Sequence, residues 1–384
     1  MRLCFVTGSR ADYGLLRPLI SLAKDDASFE ASILATGSHL SPEFGHTYRE
    51  IERDGFPISE RLEILVSSDT RVGVVKSMGL AMTGLADALP RIAPNAVVIL
   101  GDRYEAFCAA AAAHVLHIPI VHLHGGEVTE GAYDDAFRHS ITKMASLHLA
   151  AAEEYANRIK TMGEEPDRVF TVGAIGLDNL RNLDPIPRET LERDLGCVLG
   201  GEVFLVTFHP TTLDSEDAVA QVNELFAALD TYPEAVIIIT KANADDQGRA
   251  INMEIERHAA SHPGRVLAFD SLGRHRYLSL MKLCRAVVGN SSSGIIEAPT
   301  AGVPTVNVGD RQKGRLRAAS VIDCHCGCES IKAALQQACS TEYGALARMS
   351  VNPYENGHTA VRALEIIRNG SNLLARRKKF NDTW

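Results

Sequence analysis

VVGNSSSGIIEAPTAGVPTVNVGDRQKGR, residues 287–315, decides how the rest of the chain is read. Ala286 to Val288 form a short apolar strand, and Gly289 to Gly294 a turn crowded with hydroxyls and backbone N–H groups. Ile295 to Thr300 then form a helix, followed by a Pro-started strand and a basic loop. The first N–H groups of a helix lack partners and lie at the positive end of its dipole, so this turn suits an anion. Ser291, Ser292, Ser293 and Gly294 are small enough to let a phosphate reach the backbone. Glu297, one turn later, would repel a phosphate; its carboxylate suits the paired hydroxyls of a neutral polyol such as a ribose. Arg311 and Arg315 add positive charge beyond the next strand. An ordinary Ser-capped helix of an α/β domain shares the pattern, because serine is a favoured cap. The rest of the chain has to separate the two.

Apolar runs alternate with helical patterns along the whole chain, the signature of parallel α/β architecture. Strands are expected at Leu3–Val6, Ala31–Ala35, Ala96–Leu100 and Pro119–Leu123 in the first half. The second half places them at Val203–Thr207, Ala235–Thr240, Val266–Phe269, Ala286–Val288 and Thr305–Val308. Helices are expected near 15–23, 78–89, 105–116, 134–146 and 360–367, and the region 37–69 reads as irregular. Pro185, Pro187 and a Gly-Gly pair mark residues 181–200 as a linker. The expected organisation is therefore a Rossmann-like domain over 1–180, a second over 200–357, and a helix with a basic tail over 358–384. Two such halves imply a cleft, with ligands at the carboxyl ends of the strands.

Composition narrows the function. The 384 residues carry a net charge of −9, which disfavours a general nucleic-acid binder and leaves room for local basic sites facing anionic small molecules. No apolar run approaches the roughly 18 residues of a membrane span, and the N-terminus reads as a first strand, not a signal peptide. The eight cysteines are mostly scattered through core-like segments, as expected for free thiols in a reducing cytoplasm. Cys324-His325-Cys326-Gly327-Cys328 has no matching second pair at zinc-site spacing and reads as a loop or edge strand before a helix. The histidines 122, 124, 139 and 148 do not give H-E-x-x-H, so no metal site is expected there either.

Polar residues gather at the strand ends. They are Gly8-Ser9-Arg10, Gly101-Asp102-Arg103, His122-Leu123-His124-Gly125-Gly126-Glu127, His209-Pro210, Asn243, and the turn from Asn290 to Gly294. One polar residue after a strand means little, whereas six such ends form a site. Asp102 follows four apolar residues and a glycine, where a carboxylate is held by charge or shifted in pKa, or simply caps the next helix. Of Asp134 and Asp135, one is expected to cap the helix that starts there and one to face the site. His209 could donate to a phosphate or protonate a leaving oxygen. There is no G-x-G-x-x-G, no G-x-x-x-x-G-K-[ST] and no G-x-S-x-G, which disfavours dinucleotide binding, P-loop chemistry and ester hydrolysis.

Taken together, TGSRADYG, GDRYE, H-x-H-GGEVTEGAYDDAFRHSITK, FHPTT and GNSSSGIIEAPTAGVPTVNVGDRQ resemble the hydrolysing UDP-N-acetylglucosamine 2-epimerases. The motifs run in that family's order from residue 5 to about 315. The resemblance implies the two-domain GT-B fold, UDP binding in the second domain, and sugar chemistry on the first. Arg10, His209, Asn243, Ser291, Ser292, Glu297 and Arg311 match UDP-contacting positions, with Gly294 in the same turn. Asp102 and Asp134 match catalytic carboxylates, with Arg103 beside the first; Glu127 and His209 complete the expected acid–base set. His124 stands where the family often has a catalytic glutamate, and the loop holds one more residue between Glu127 and the Asp pair.

The implied reaction eliminates UDP, adds water to the glycal, and returns a proton to C2 from the other face, with no redox cofactor or metal. Its products are UDP and an N-acetylmannosamine-type sugar, as in sialic acid-type sugar biosynthesis. Alternatives are the same reaction on UDP-2,4-diacetamido-2,4,6-trideoxyglucose, a non-hydrolysing epimerase, a GT-B glycosyltransferase, and a non-catalytic UDP-sugar sensor. A cytoplasmic homo-oligomer is expected, with UDP-sugar and UDP as ligands and neither nucleic acid nor membrane as partner. His124 is expected either to shape the pocket for a 4-acetamido sugar or to transfer the proton itself.

Overall fold

The computed structural model describes residues 1–68, 70–211, 217–242 and 247–382. The chain divides into two compact units: one of 1–128, 133–179 and 354–384, the other of 129–132 and 180–353.

The first unit is built on a seven-stranded, wholly parallel sheet. Its strands are β1 (Arg2–Thr7), β2 (Glu30–Thr36), β3 (Glu60–Leu62), β4 (Ala96–Leu100), β5 (Ile120–Leu123), β6 (Leu147–Ala150) and β7 (Val169–Thr171), ordered β3-β2-β1-β4-β5-β6-β7. Continuous apolar runs such as Ala-Val-Val-Ile-Leu in β4 form central strands because helices cover both faces. The order reverses between β1 and β4, so the chain leaves these two neighbouring strands in opposite directions and opens a crevice at their carboxyl ends.

The second unit repeats this plan with six parallel strands: β8 (Val203–Thr207), β9 (Val236–Thr240), β10 (Val266–Phe269), β11 (Ala286–Gly289), β12 (Thr305–Val308) and β13 (Val321–Cys324). Their order is β10-β9-β8-β11-β12-β13, so the reversal falls between β8 and β11. The quoted stretch therefore follows a switch-point strand.

The residues read as a linker belong to the second unit. The helix Arg188–Leu195 within them buries Leu191 and Leu195 in that unit's core. The C-terminal helix Thr359–Asn369 returns to the first unit, where it packs Ala360, Ala363, Leu364 and Ile367 into the core that covers one face of the sheet. Asp178 accepts from the N–H groups of Thr359 (3.1 Å) and Ala360 (2.6 Å), satisfying donors that a helix start leaves open. Buried Arg168 donates to the carbonyls of Leu373 and Arg376.

The helix Arg71–Ile92 departs from the sequence reading. It begins earlier, and by length and composition it is apolar enough to cross a membrane. In the fold it packs against the helix Tyr104–Val115, burying Ser77, Ala81, Leu85, Ala88, Leu89 and Ile92. At Gly84 the helix runs close to β3: a Cβ there would fall 2.1 Å from a methyl of Leu62, whose side chain would have to turn aside. Cys324 ends edge strand β13, and Cys328 opens the next helix.

Candidate active site

At the switch point of the first unit, the turn after β1 is locked by a reciprocal cap. Ser9 Oγ accepts from Asp12 N–H (3.4 Å), and Asp12 Oδ2 accepts from Gly8 N–H (3.2 Å). Burial pushes the Asp12 carboxyl up to about 6, against the opposing pull of Arg103. Arg10 opens the helix Arg10–Asp25 and is half-buried. Beside this turn, Arg103 donates to both oxygens of buried Glu105, at 3.3 and 3.4 Å. The sequence assigns Arg103 to the substrate; the fold gives it an internal carboxylate partner.

Asp102 does not cap the following helix, whose cap position is Arg103. It pairs instead with Arg138, a guanidinium only 1% exposed that comes from the helix Asp134–Met144. The same guanidinium donates to the backbone carbonyl of His124 (3.2 Å) and lies 3.6 Å from Glu127 Oε2. Glu127 Oε1 in turn lies 2.6 Å from His124 Nδ1. Asp102, Arg138, Glu127 and His124 thus form one connected cluster at the ends of β4 and β5, with Arg138 between the two carboxylates.

Arg138 is absent from the residues that the sequence singles out. The available signal is its place four residues after Asp134, on the same helical face. Neither Asp134 nor Asp135 caps that helix. Tyr133 holds the cap position, and both carboxylates lie in the first turn, where negative charge meets the dipole favourably.

The backbone sets the direction of His124. Its φ is +61°, a left-handed conformation that non-glycine residues adopt at some expense, while its N–H still donates to the Leu149 carbonyl (3.1 Å). Gly126, with φ +75°, is irreplaceable because a Cβ would stand 2.4 Å from the Tyr155 carbonyl oxygen. A carboxylate can only accept, so the 2.6 Å contact places a proton on His124 Nδ1, and in the neutral imidazole the lone pair then lies on Nε2. Nε2 is buried and makes no hydrogen bond among the described residues.

The other histidines differ. His122 Nε2 meets the Gly101 carbonyl (2.8 Å), and burial drives it down to about 3. His148 pairs with Glu164 in the core (3.0 Å), and His139 lies 3.5 Å from Asp135.

In the second unit the quoted stretch holds a compact anion-type turn. Gly289 has φ +123°, and a Cβ there would lie 2.1 Å from the Thr207 carbonyl oxygen. That approach lets Asn290 cross to the end of β8, where its amide accepts from His209 N–H (2.7 Å) and donates to His209 O (2.8 Å). The backbone of buried His209 is fixed in this way. The Asn290 carbonyl receives Arg311 Nη1 (3.1 Å) and Gln312 Nε2 (2.8 Å), tying the basic loop to the same corner.

The helix starts earlier than read, at Ser292, with Ser291 as a side-chain cap for Ser293 N–H. Ser293 Oγ meets Tyr277 Oη at 2.6 Å. Gly294 faces Thr305, whose methyl would sit 2.8 Å from a Cβ. Glu297 is buried on this helix, and burial raises its carboxyl to about 7, with nearby Arg315 opposing. Residues 129–132 belong to this unit and lie along the basic loop: Glu130 N–H donates to Lys313 O, and Gly131 leaves no room for a Cβ beside the Asp310 carbonyl. Asn243 lies outside the described residues.

Two doubly wound units, each with its polar residues at the reversal of strand order, define a GT-B-type α/β enzyme. The solved UDP-GlcNAc 2-epimerase of Neisseria meningitidis, bound to UDP-GlcNAc, shares this fold with a TM-score of 0.81 at 18% identity, over 96% of this chain and 100% of that one. The chain also matches the family described as UDP-N-acetylglucosamine 2-epimerase over residues 22–368. A GDP/UDP-N,N'-diacetylbacillosamine 2-epimerase (hydrolyzing) of Campylobacter jejuni is 44% identical over 322 residues, 84% of each chain. A UDP-N,N'-diacetylbacillosamine 2-epimerase (hydrolyzing) of Legionella pneumophila is 32% identical over 371 residues, 96% of this chain and 95% of its own. This chain belongs to the UDP-N-acetylglucosamine 2-epimerase family, and these relatives set it with the hydrolysing enzymes.

Proposed function

We propose that the chain hydrolyses a UDP-activated 2-acetamido sugar with inversion at C2, and that its substrate is the 2,4-diacetamido-2,4,6-trideoxyglucose derivative. The connected chain Asp102–Arg138–Glu127–His124 carries the chemistry of this reading. The names of the Campylobacter and Legionella relatives support the sugar. UDP-N-acetylglucosamine is the second reading, favoured by the family description.

C2–H is weakly acidic, so its removal has to accompany departure of the diphosphate from C1. The second unit supplies the stabilisation. The helix start at Ser292 and the Arg311 guanidinium face negative charge growing on UDP, while Glu297 holds ribose hydroxyls. His124 Nε2 takes the C2 proton, and Glu127 steadies the imidazolium that forms. The C1–O bond breaks to release UDP and a 2-acetamidoglycal. Water then adds across the double bond: its oxygen bonds to C1, and one of its protons passes to Asp102 or Asp134. That carboxyl delivers a proton to the opposite face of C2, while the His124 imidazolium returns its proton to solvent. The net change consumes one water and yields UDP and the free manno-configured sugar. All bond changes are proton transfer, elimination or addition, so no redox equivalent is involved.

The reading includes action in the cytoplasm as a homo-oligomer. Eight free cysteines support a reducing compartment. Exposed Val72, Val75, Leu80 and Met82 on one helix support self-association.

The test is incubation of both UDP-sugars in D₂O, followed by NMR. The expected products are UDP and a free sugar with deuterium at C2, formed faster from the 4-acetamido substrate. Protium at C2, or UDP-sugar as the sole product, overturns the mechanism. A preference for UDP-N-acetylglucosamine overturns only the choice of sugar.

A further inference from the structure

Asp230 follows the helix Ala218–Leu229, and His258 and His262 lie on and just after the last turn of the helix Gly248–Ser261. One ligand atom from each falls within 4.8 Å of the others. His258 Nε2 is 3.5 Å and His262 Nε2 3.8 Å from Asp230 Oδ1. Zinc–ligand bonds of about 2.1 Å give tetrahedral edges of about 3.4 Å, close to both separations.

The surrounding groups hold these donors in place. His262 Nδ1 lies 3.1 Å from the His258 carbonyl, so it carries the proton and leaves the lone pair on Nε2. Phe226 stacks on the His258 ring at 4.1 Å and 3°. Among the described residues, His258 Nε2 is buried without a hydrogen bond. Arg265 donates twice to Asp230 Oδ1, at 3.1 and 2.9 Å, which orients the carboxylate so that this same oxygen faces both imidazoles.

We propose that Asp230, His258 and His262 bind a divalent transition cation of the zinc type. Two imidazoles and one carboxylate suit zinc, nickel or copper better than magnesium or calcium, and a fourth position stays open to water. Asp230 precedes β9, and the two histidines precede β10. The site therefore lies at the amino-terminal edge of the sheet, opposite the edge that carries His209 and the Ser291 turn. Its role is to tie two helix ends together, apart from the reaction.

The experiment titrates the full-length protein with Zn²⁺ by calorimetry and with Co²⁺ by visible spectroscopy, alongside His258→Gln and His262→Gln. Losing an outer-shell partner alone weakens metal binding by about 10–100-fold, so losing a ligand should weaken it no less. The expected result is a cobalt spectrum of nitrogen and oxygen ligands without sulfur charge transfer, and at least about tenfold weaker binding in each variant. Turnover of His262→Gln should match the unmodified protein. His262 is half-exposed, so its variant keeps the test valid even where His258→Gln fails to fold. Unchanged binding in His262→Gln overturns the site. So does a thiolate band, which would put the ion on the cysteines near β13.

Discussion

The two switch points of this chain use opposite electrostatics. In the first unit, the switch-point strand β4 and its neighbour β5 end in a network of ion pairs, with Arg138 between Asp102 and Glu127. In the second, β8 and β11 end in backbone donors, serine hydroxyls and the Asn290 amide, and the buried carboxyl, Glu297, is pushed towards neutrality. The same sheet topology serves both. The difference teaches that the strand order fixes where a site lies, while the side chains at the strand ends decide whether it moves protons or holds an anion.

The harshest way to break this contrast is Arg138→Met. It leaves Asp102 and Glu127 without their shared counter-charge, and removing one partner from a buried ion pair destabilises a protein by about 3–5 kcal/mol. Urea denaturation should show a loss in that range together with loss of turnover. A midpoint within experimental error of the parent would mean that the network does not hold the unit together.

Next in size is His124→Gln, which keeps a polar side chain and removes the proton acceptor. General-base catalysis contributes about 10²–10⁴-fold, so kcat should fall by that factor, with C2 deuterium exchange lost and UDP affinity retained. A modest fall with an altered ratio between the two sugars would instead make His124 a shaping residue, and Glu127 would become the base.

The second unit is probed by pH. Burial raises Glu297 from its ordinary 4.5 to about 7, so the native state holds this proton more tightly than the unfolded chain does. The stability this confers is complete below pH 4.5 and is lost as pH rises through 7. A tenfold difference in proton affinity is worth about 1.4 kcal/mol, so the decline across this window is on the order of 3 kcal/mol. Glu297→Gln should flatten that part of the urea-midpoint profile. Asp12, raised in the same direction, keeps its own slope in both proteins. Equal slopes would show that Glu297 is hydrated.

Much of this is legible in the sequence, for a physical reason. Central strands such as β4 and β8 are uninterrupted apolar runs that both sheet faces demand. β6, β7 and β13 escape such a reading because Leu-His-Leu-Ala, Val-Phe-Thr and Val-Ile-Asp-Cys are short or carry polar residues, and His148 is made acceptable in the core only by distant Glu164. Asp102 and the Ser291 turn are visible because they directly follow strands. Arg138 is not, because an arginine within a helix reads as surface until its buried carboxylates are brought to it. The Arg103 pairing is hidden for the converse reason: its partner Glu105, two residues on, looks like one more exposed helix acid.

The mildest test asks whether the second switch point holds its anion chiefly by backbone or by charge. Arg311 donates to the Asn290 carbonyl at 3.1 Å, so it already supports the turn. Gln312 supports the same carbonyl at 2.8 Å, so Arg311→Ala should leave the turn in place while removing one charged donor. A hydrogen bond to a charged group contributes about 1.5–3 kcal/mol, so UDP affinity should fall roughly 10- to 150-fold by calorimetry. The loss should shrink at high salt only if the guanidinium acts at a distance, through screened charge. A loss that salt does not change means direct contact with the diphosphate. If Arg311→Ala binds UDP as tightly as the parent, the serine turn and the helix start suffice, and the contrast with the charge-built first unit becomes sharper.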